Sequence, residues 1–204
     1  MKRKKQPVIG FNEEAHLYTV AEKVVPSVTT IINFQKESFY LDNGAKERGT
    51  IVHKLLEEHD LGLDTEWLYG DEYAAFLQYY KDFLIDFRPD FFGVECPVYH
   101  ERLNYCGTID RVGTIDGKPF IADIKTGSSV PAWASLQTAA YAMAYFEDYK
   151  QVNRFVIHVN PNKLRAYKLC VYQDSNDFTE WEWMCKHYHK TNQEMEEFLR
   201  GELE

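Results

Sequence analysis

Two aspartates and a lysine near the middle of the chain have residue types and a spacing that could do chemistry. Asp110 lies in a segment of alternating polarity at 105–115, and Asp123 and Lys125 lie in a second such segment at 118–125. Alternation of this kind is typical of β-strands. Carboxylate oxygens are the hard ligands that Mg²⁺, Mn²⁺ and Ca²⁺ prefer. The three residues therefore predict a divalent-metal site.

The turn between the two segments predicts their register. The Asp-Gly pair at 116–117 favours a two-residue type I′ turn, so the residues on either side of it should face each other. Counting back along the hairpin places Asp110 across from Asp123 and Thr108 across from Lys125, with all four side chains on one face. Opposed Cβ atoms lie roughly 4.5–5.5 Å apart, so the two carboxylates repel unless a cation holds them. The alternative is a solvated sheet face on which a bulge separates the acids.

A third acid could belong to the same site. If residues 101–104 form the loop before the first of these strands, His100 faces Tyr105 and Glu95 falls opposite Asp110. Glu95 is accordingly a candidate third acid, and a structural or solvated role is the alternative.

The elements that must position these residues alternate between helical and strand patterns. Spacings of three and four predict helices, and alternation predicts strands. The predicted helices are 43–61, 71–87, 132–149 and 177–199, and the predicted strands are 94–99, 105–115, 118–125, 155–159 and 166–171, with a small hairpin at 11–25 and a turn at Pro161-Asn162-Lys163. We expect a mixed α/β fold with a central sheet of about five strands and helices on both sides. Residues 1–204 are expected to form one domain.

Composition excludes several classes of protein. The chain has 204 residues, 45% of them hydrophobic, and a net charge of −9, which disfavours non-specific binding of polyanions by the whole surface. No apolar run approaches the ~20 residues of a membrane span, so we expect no membrane association and a cytoplasmic protein. Four bases within residues 1–6 predict a frayed basic tail, or else an arm that contacts phosphate. The four cysteines have no zinc-site spacing and are interpreted as buried thiols.

Four motifs occur in a fixed order around the candidate site: Arg48-Gly-Thr-Ile-Val-His53, Gly107-Thr-Ile-Asp110-Arg, Ile121-Ala-Asp123-Ile-Lys125-Thr-Gly127 and Gln137-Thr-Ala-Ala-Tyr141. Together they resemble the PD-(D/E)xK nuclease superfamily, in its RecB-like, phage-type exonuclease branch. The opening, His16-Leu-Tyr18 through Val25-Pro-Ser-Val-Thr29, is similar to the start of compact phage and prophage nucleases. The resemblance spans residues 16–141 and implies a restriction-endonuclease-like nuclease core.

The resemblance assigns roles to individual residues. It implies four metal ligands: the side chains of His53, Asp110 and Asp123 and the backbone carbonyl of Ile124. Lys125 would orient or activate the attacking water and offset charge on the phosphate. Gln137 and Tyr141 would hold Lys125 and the phosphate in place. Trp133, Gln137 and Tyr141 follow one another at spacings of four, which predicts that they lie on one face of the helix after the second strand. Arg48, Thr126 and Trp133 are candidate substrate contacts, and Trp133 could stack on a base or simply be partly buried.

The resemblance also implies the cofactor. Metal-assisted hydrolysis of phosphodiesters requires Mg²⁺ or Mn²⁺, and a histidine ligand suits Mn²⁺ better. Many RecB-like relatives carry an iron–sulfur cluster on four cysteines, but the cysteines here lack that clustered spacing, so we expect no cluster. The chain has no phosphate-binding loop motif, so we expect no ATP site.

The predicted function is therefore a metal-dependent DNA exonuclease for phage or prophage recombination or repair. A single-strand annealing protein is a candidate partner, and a homo-oligomer is a candidate assembly. One alternative is a structure-selective endonuclease that cuts flap or branched DNA. The other is a catalytically inactive nuclease fold that binds DNA or protein.

Overall fold

The computed structural model describes residues 1–12, 15, 17–34, 43–161 and 167–201, without the side chains of 43–46 and 196–201. The strands are β1 (Ile9–Asn12), β2 (Leu17–Val20), β3 (Lys23–Val25), β4 (Asp90–His100), β5 (Tyr105–Ile115), β6 (Lys118–Lys125), β7 (Asn153–Val159) and β8 (Tyr167–Tyr172). The helices are α1 (Val28–Phe34), α2 (Asn43–Asp60), α3 (Asp71–Phe87), α4 (Ala134–Tyr145) and α5 (Asn176–Gly201). His16, Asn162 and Lys163, which the sequence motifs included, lie outside the described residues.

The strands form a three-stranded sheet and a central five-stranded sheet. The first has the order β1-β2-β3, and the second has the order β4-β5-β6-β7-β8. Neighbours in the central sheet are antiparallel except for β6 and β7, which are parallel. A parallel pair needs a crossover connection, and α4 supplies it between these two strands. The mixed α/β fold with five central strands is confirmed.

Helices cover both faces of the central sheet, as expected from the sequence. Residues of α1, α4 and α5 form one buried apolar cluster, and residues of α2 and α3 form another with Phe120, Ala122 and Ile124 of β6. Helix α4 is buried all round, because eleven of its residues are largely hidden from solvent. No helix within the described part of the chain is long and apolar enough to span a membrane.

The β5–β6 hairpin has the predicted turn and only part of the predicted register. Asp116 and Gly117 have φ values of 51° and 72°, as a type I′ turn requires. The ladder keeps the predicted register but ends where Arg111 pairs with Ala122, one pair before Asp110 and Asp123, so these two acids do not form the predicted ladder pair. The reason is that Asp110 Oδ2 accepts a hydrogen bond from the backbone N–H of Ile124 at 2.6 Å. A side chain thus occupies the place of a backbone partner, and the two strands separate.

The predicted pair of Thr108 and Lys125 is likewise absent from the ladder between β5 and β6. Thr108 Oγ1 lies 2.8 Å from Tyr18 Oη of β2. The ladder between β5 and β6 has already ended before it reaches Thr108, so this side chain is available to the three-stranded sheet.

The β4–β5 hairpin follows the predicted register closely. His100 pairs with Tyr105 across the loop at 101–104. The same register places Glu95 opposite Asp110, but this pair is skipped in the ladder and Glu95 has a left-handed φ of 45°. Both hairpins are therefore irregular at Asp110, which lets side chains meet where backbone pairing fails.

The N-terminal residues do not form the predicted frayed tail. The backbone N–H of Lys4 donates to Tyr145 O at 2.7 Å, and that of Glu147 donates to Lys2 O at 3.1 Å. The Lys4 ammonium also donates to the carbonyl of Met143 at 2.7 Å. The segment thus satisfies carbonyl groups at the end of α4, which would otherwise lack partners. This helix stops at Tyr145, short of the predicted end at 149, because the next residues pair with the N-terminal segment.

Candidate functional site

Three side chains from three elements meet where the hairpins are irregular. Helix α2 contributes His53, β4 contributes Glu95 and β5 contributes Asp110, and one ligand atom from each lies within 4.8 Å of the others. His53 Nδ1 is 3.7 Å from both Glu95 Oε1 and Asp110 Oδ2. One imidazole nitrogen and two carboxylates are a suitable donor set for Mn²⁺ and an acceptable one for Mg²⁺. The sequence predicted two of these residues as ligands and Glu95 as a possible third acid.

The two carboxylates strongly perturb the histidine. Burial by itself lowers the pKa of His53, but the charges of Asp110 and Glu95 outweigh it and raise the pKa to about 9. Burial raises the pKa of Asp110, partly opposed by the charge on His53. Without a metal the cluster therefore holds a proton at neutral pH, in the place where a cation would compensate the acids.

Ile124 touches the cluster only through its backbone. Its N–H donates to Asp110 Oδ2 at 2.6 Å, and its carbonyl oxygen lies 3.1 Å from His53 Nε2. The second contact orients the imidazole and presents Nδ1 to the two acids, an arrangement common for metal-binding histidines. The role of the Ile124 carbonyl as a metal ligand remains a prediction.

Asp123 is not one of the three clustered residues, and it contacts Lys125. Its Oδ2 is 2.6 Å from Lys125 Nζ, and the side chain is 1% exposed. Burial raises the pKa of Asp123 to about 6, although the charge on Lys125 lowers it. Among the described residues, none makes a hydrogen bond of good geometry to Asp123 Oδ2. A buried carboxylate oxygen with only an ion pair retains capacity for another cationic partner.

Lys125 is the start of a chain of hydrogen bonds into α4. Its ammonium donates to Gln137 Oε1 at 3.1 Å, and Gln137 Nε2 donates to Tyr141 Oη at 2.9 Å. The Trp133 ring lies on the same ammonium, with its centroid 5.2 Å from Nζ. Helical spacing of four residues brings these side chains to one point, as the sequence indicated. A Cβ at Gly107 would lie 2.6 Å from Tyr141 Cε1, so only glycine lets this ring approach β5.

The other predicted substrate contacts are placed around this group without joining it. Thr126 is 8% exposed, and its Oγ1 would lie 3.7 Å from a Cβ at Gly49 of α2. Arg48 is half-buried, five residues before His53 on α2. Their roles in binding substrate remain predictions.

Sequence reasoning missed two further contacts of the site. Arg111, which follows Asp110, is fully buried and donates to Glu95 Oε1 at 3.3 Å. The Gly127 carbonyl accepts hydrogen bonds from His158 Nε2 at 2.8 Å and from Asn160 Nδ2 at 2.6 Å, which anchors the loop after β6. The only sequence signal for Arg111 was its place inside the Gly107–Arg111 motif.

Comparison with known families covers most of these residues. A family model described as the PD-(D/E)XK nuclease superfamily matches residues 66–204, well over half of the chain. The matched range includes Glu95, Asp110, Asp123, Lys125, Gln137 and Tyr141, and it begins after Arg48 and His53. No curated protein matches the chain at a significant level.

Proposed function

Because the chain belongs to the PD-(D/E)XK nuclease superfamily, whose members are metal-dependent nucleases with a restriction-endonuclease-like fold, we propose that it is a DNA exonuclease of the RecB-like, phage-type branch. The cluster of His53, Glu95 and Asp110 beside the Asp123–Lys125 ion pair is the observation that supports hydrolysis. Mg²⁺ or Mn²⁺ held there would polarise a phosphoryl group and lower the pKa of a bound water.

Side chains of this site would hold the metal, orient the attacking water and bind the substrate. His53 and Asp110 would hold the cation, with Asp123 and Glu95 as the further acids and the Ile124 carbonyl completing the set. The ammonium of Lys125 would offset negative charge that develops on the phosphate and orient the attacking water. Gln137, which accepts a hydrogen bond from Lys125, would fix the direction of that ammonium and is itself fixed by Tyr141. Arg48, Thr126 and Trp133 would contact the DNA around the reacting phosphate.

The wider context is part of the same proposal. In this proposal, residues 1–204 form one nuclease domain. The protein acts in the cytoplasm of a bacterial or phage-infected cell, where it functions in recombination or repair. A single-strand annealing protein is the candidate partner. The sequence motifs, rather than a feature of the fold, favour an exonuclease over a structure-selective endonuclease.

The direct test is release of acid-soluble nucleotides from linear and from nicked circular DNA with Mg²⁺ or Mn²⁺. We expect release from linear DNA alone, and loss of release in Asp110→Asn and Asp123→Asn. Asp116→Asn is the matched control, because asparagine tolerates the left-handed conformation of that turn residue. Incision of circular or branched DNA would favour an endonuclease. No hydrolysis with either metal would favour a binding module.

A further inference from the structure

Arg111 is completely buried, and its contacts link the candidate site to the helices behind it. Its Nε donates to Asp60 Oδ2 at 2.5 Å and to Tyr80 Oη at 3.1 Å. Its Nη1 donates to the backbone carbonyl of Asp110 at 2.7 Å and to Glu95 Oε1 at 3.3 Å. One guanidinium thus contacts α2, α3, β4 and β5.

The charge on Arg111 is already compensated without Glu95. A buried guanidinium needs an anionic partner, and Asp60, whose side chain is 2% exposed, supplies it at the shortest of these distances. Glu95 is 24% exposed and could reach water instead. The contact between Arg111 and Glu95 is therefore not required for charge balance in the core, and it calls for another explanation.

The backbone of Glu95 adds an independent observation. Its φ of 45° lies in the left-handed region, which costs free energy for a residue with a long side chain. The same conformation interrupts the β4–β5 ladder and turns the Glu95 carboxylate toward His53, 3.7 Å away. Strain of this kind persists where surrounding contacts hold it, and Arg111 supplies such a contact.

We propose that Arg111 is a positioning residue that fixes the Glu95 carboxylate beside His53 and Asp110, so that Glu95 completes the metal site. The inference rests on the proposed function, because it assigns Glu95 to the metal of that same site. Glu95 Oε1 lies 3.3 Å from Arg111 Nη1 and 3.7 Å from His53 Nδ1. The other carboxylate oxygen, Oε2, makes neither of these two contacts.

Lysine cannot reproduce this geometry. Arg111 donates to Asp60 through Nε and to Glu95 through Nη1. A planar guanidinium with several N–H donors can make both hydrogen bonds at once. A compact ammonium on a flexible stem would pair with Asp60 and leave Glu95 without its donor. Arg111→Lys therefore keeps the buried charge paired and is the variant expected to fold.

The test is calorimetric titration of the purified full chain with Mn²⁺. We expect Arg111→Lys and Glu95→Gln each to weaken Mn²⁺ binding by about 10–100-fold, the usual effect of losing a residue that orients a ligand. The double variant should bind no more weakly than Glu95→Gln alone, because Arg111 acts through Glu95. Arg154→Lys is the control, since Arg154 is also buried and paired with Asp177, without contact to Glu95. It should lose thermal stability and keep wild-type Mn²⁺ affinity.

The outcomes separate this inference from the proposed function. If Arg111→Lys binds Mn²⁺ as tightly as the wild type does, or if the losses in affinity are additive in the double variant, the role of Arg111 is refuted. The proposed function is not affected by either result. A wild-type chain that binds no divalent cation would refute the proposed function and this inference with it. Should Arg111→Lys not fold, the Glu95→Gln titration decides, because wild-type affinity in that variant would leave Arg111 nothing to position.

Discussion

The most direct test of the metal site is the competition between a proton and the metal ion for His53. The acids Asp110 and Glu95 raise the pKa of His53 to about 9, so the ring is an imidazolium at pH 7 in the metal-free protein. A metal ligand must be a neutral imidazole, and binding of Mn²⁺ must therefore release this proton. We expect the apparent affinity for Mn²⁺ to rise with pH.

The size of the effect follows from the difference between the pKa and the pH. With a pKa of about 9, each unit of pH between 7 and 9 should change the affinity about tenfold. The cost of losing the proton at pH 7 is then on the order of 3 kcal/mol, or about 100-fold in affinity. Asp123, with a pKa of about 6, is already ionised in this range and adds little to the slope.

The assay is Mn²⁺ titration calorimetry at pH 7 and 8, in two buffers with different heats of ionisation. The wild type should release close to one proton per cation. His53→Asn should bind more weakly, with an affinity that is nearly flat over this pH range. His59→Asn, on the same helix but paired with Glu66, should behave like the wild type. An unchanged wild-type affinity without proton release would show that His53 is not a ligand.

Three further outcomes are expected. Lys125→Ala should lower kcat about 10²–10³-fold in single-turnover cleavage while the Mn²⁺ affinity stays nearly unchanged, because an ammonium that is not a metal ligand acts on the transition state. Normal cleavage with weak metal binding would contradict this role. Lys125→Arg should restore little of the activity. Burial lowers the pKa of His100 to about 4 in the folded protein. As the pH falls, His100 is therefore protonated at a higher pH in the unfolded chain than in the folded one, and the free energy of unfolding decreases from about pH 6.5 toward pH 4. In urea unfolding, the free energy of unfolding of the wild type should fall by about 2 kcal/mol more than that of His100→Phe between pH 7 and pH 5, and equal slopes in both proteins would refute the assignment. Gly107→Ala should destabilise the fold by about 1–3 kcal/mol, because its Cβ would meet the Tyr141 ring, and an unchanged melting temperature would show that the ring can move away.

Local rules predicted a large part of the fold and of the site. The alternation in β5 and β6 and the Asp-Gly turn at 116–117 predicted two strands, their turn and the register next to it, as the structure has them. The spacing of Gln137 and Tyr141 predicted that both lie on one face of α4, where they meet Lys125. These inferences hold because strand and helix periods and turn geometry depend on neighbours within a few residues.

The tertiary structure alone decided how the acids are arranged. Counting residues along a hairpin assumes that backbone pairs with backbone, whereas the Asp110 carboxylate takes the N–H of Ile124 and separates the strands. Glu95 instead of Asp123 then joins His53, because the irregular backbone of β4 turns it inward. No periodicity encodes a side chain that replaces a ladder hydrogen bond.

The same limit applies to charged residues that the sequence alone would place in water. Arg111 is buried because Asp60, fifty-one positions earlier in the chain, lies against it. Lys4 and Gln6 dock on α4 because carbonyl groups at the end of that helix, about 140 positions away, accept their hydrogen bonds. Local pattern thus determined which residues form strands, helices and turns. The partners of the buried charges depended on contacts between distant segments, because desolvation makes a buried charge without an opposite charge costly.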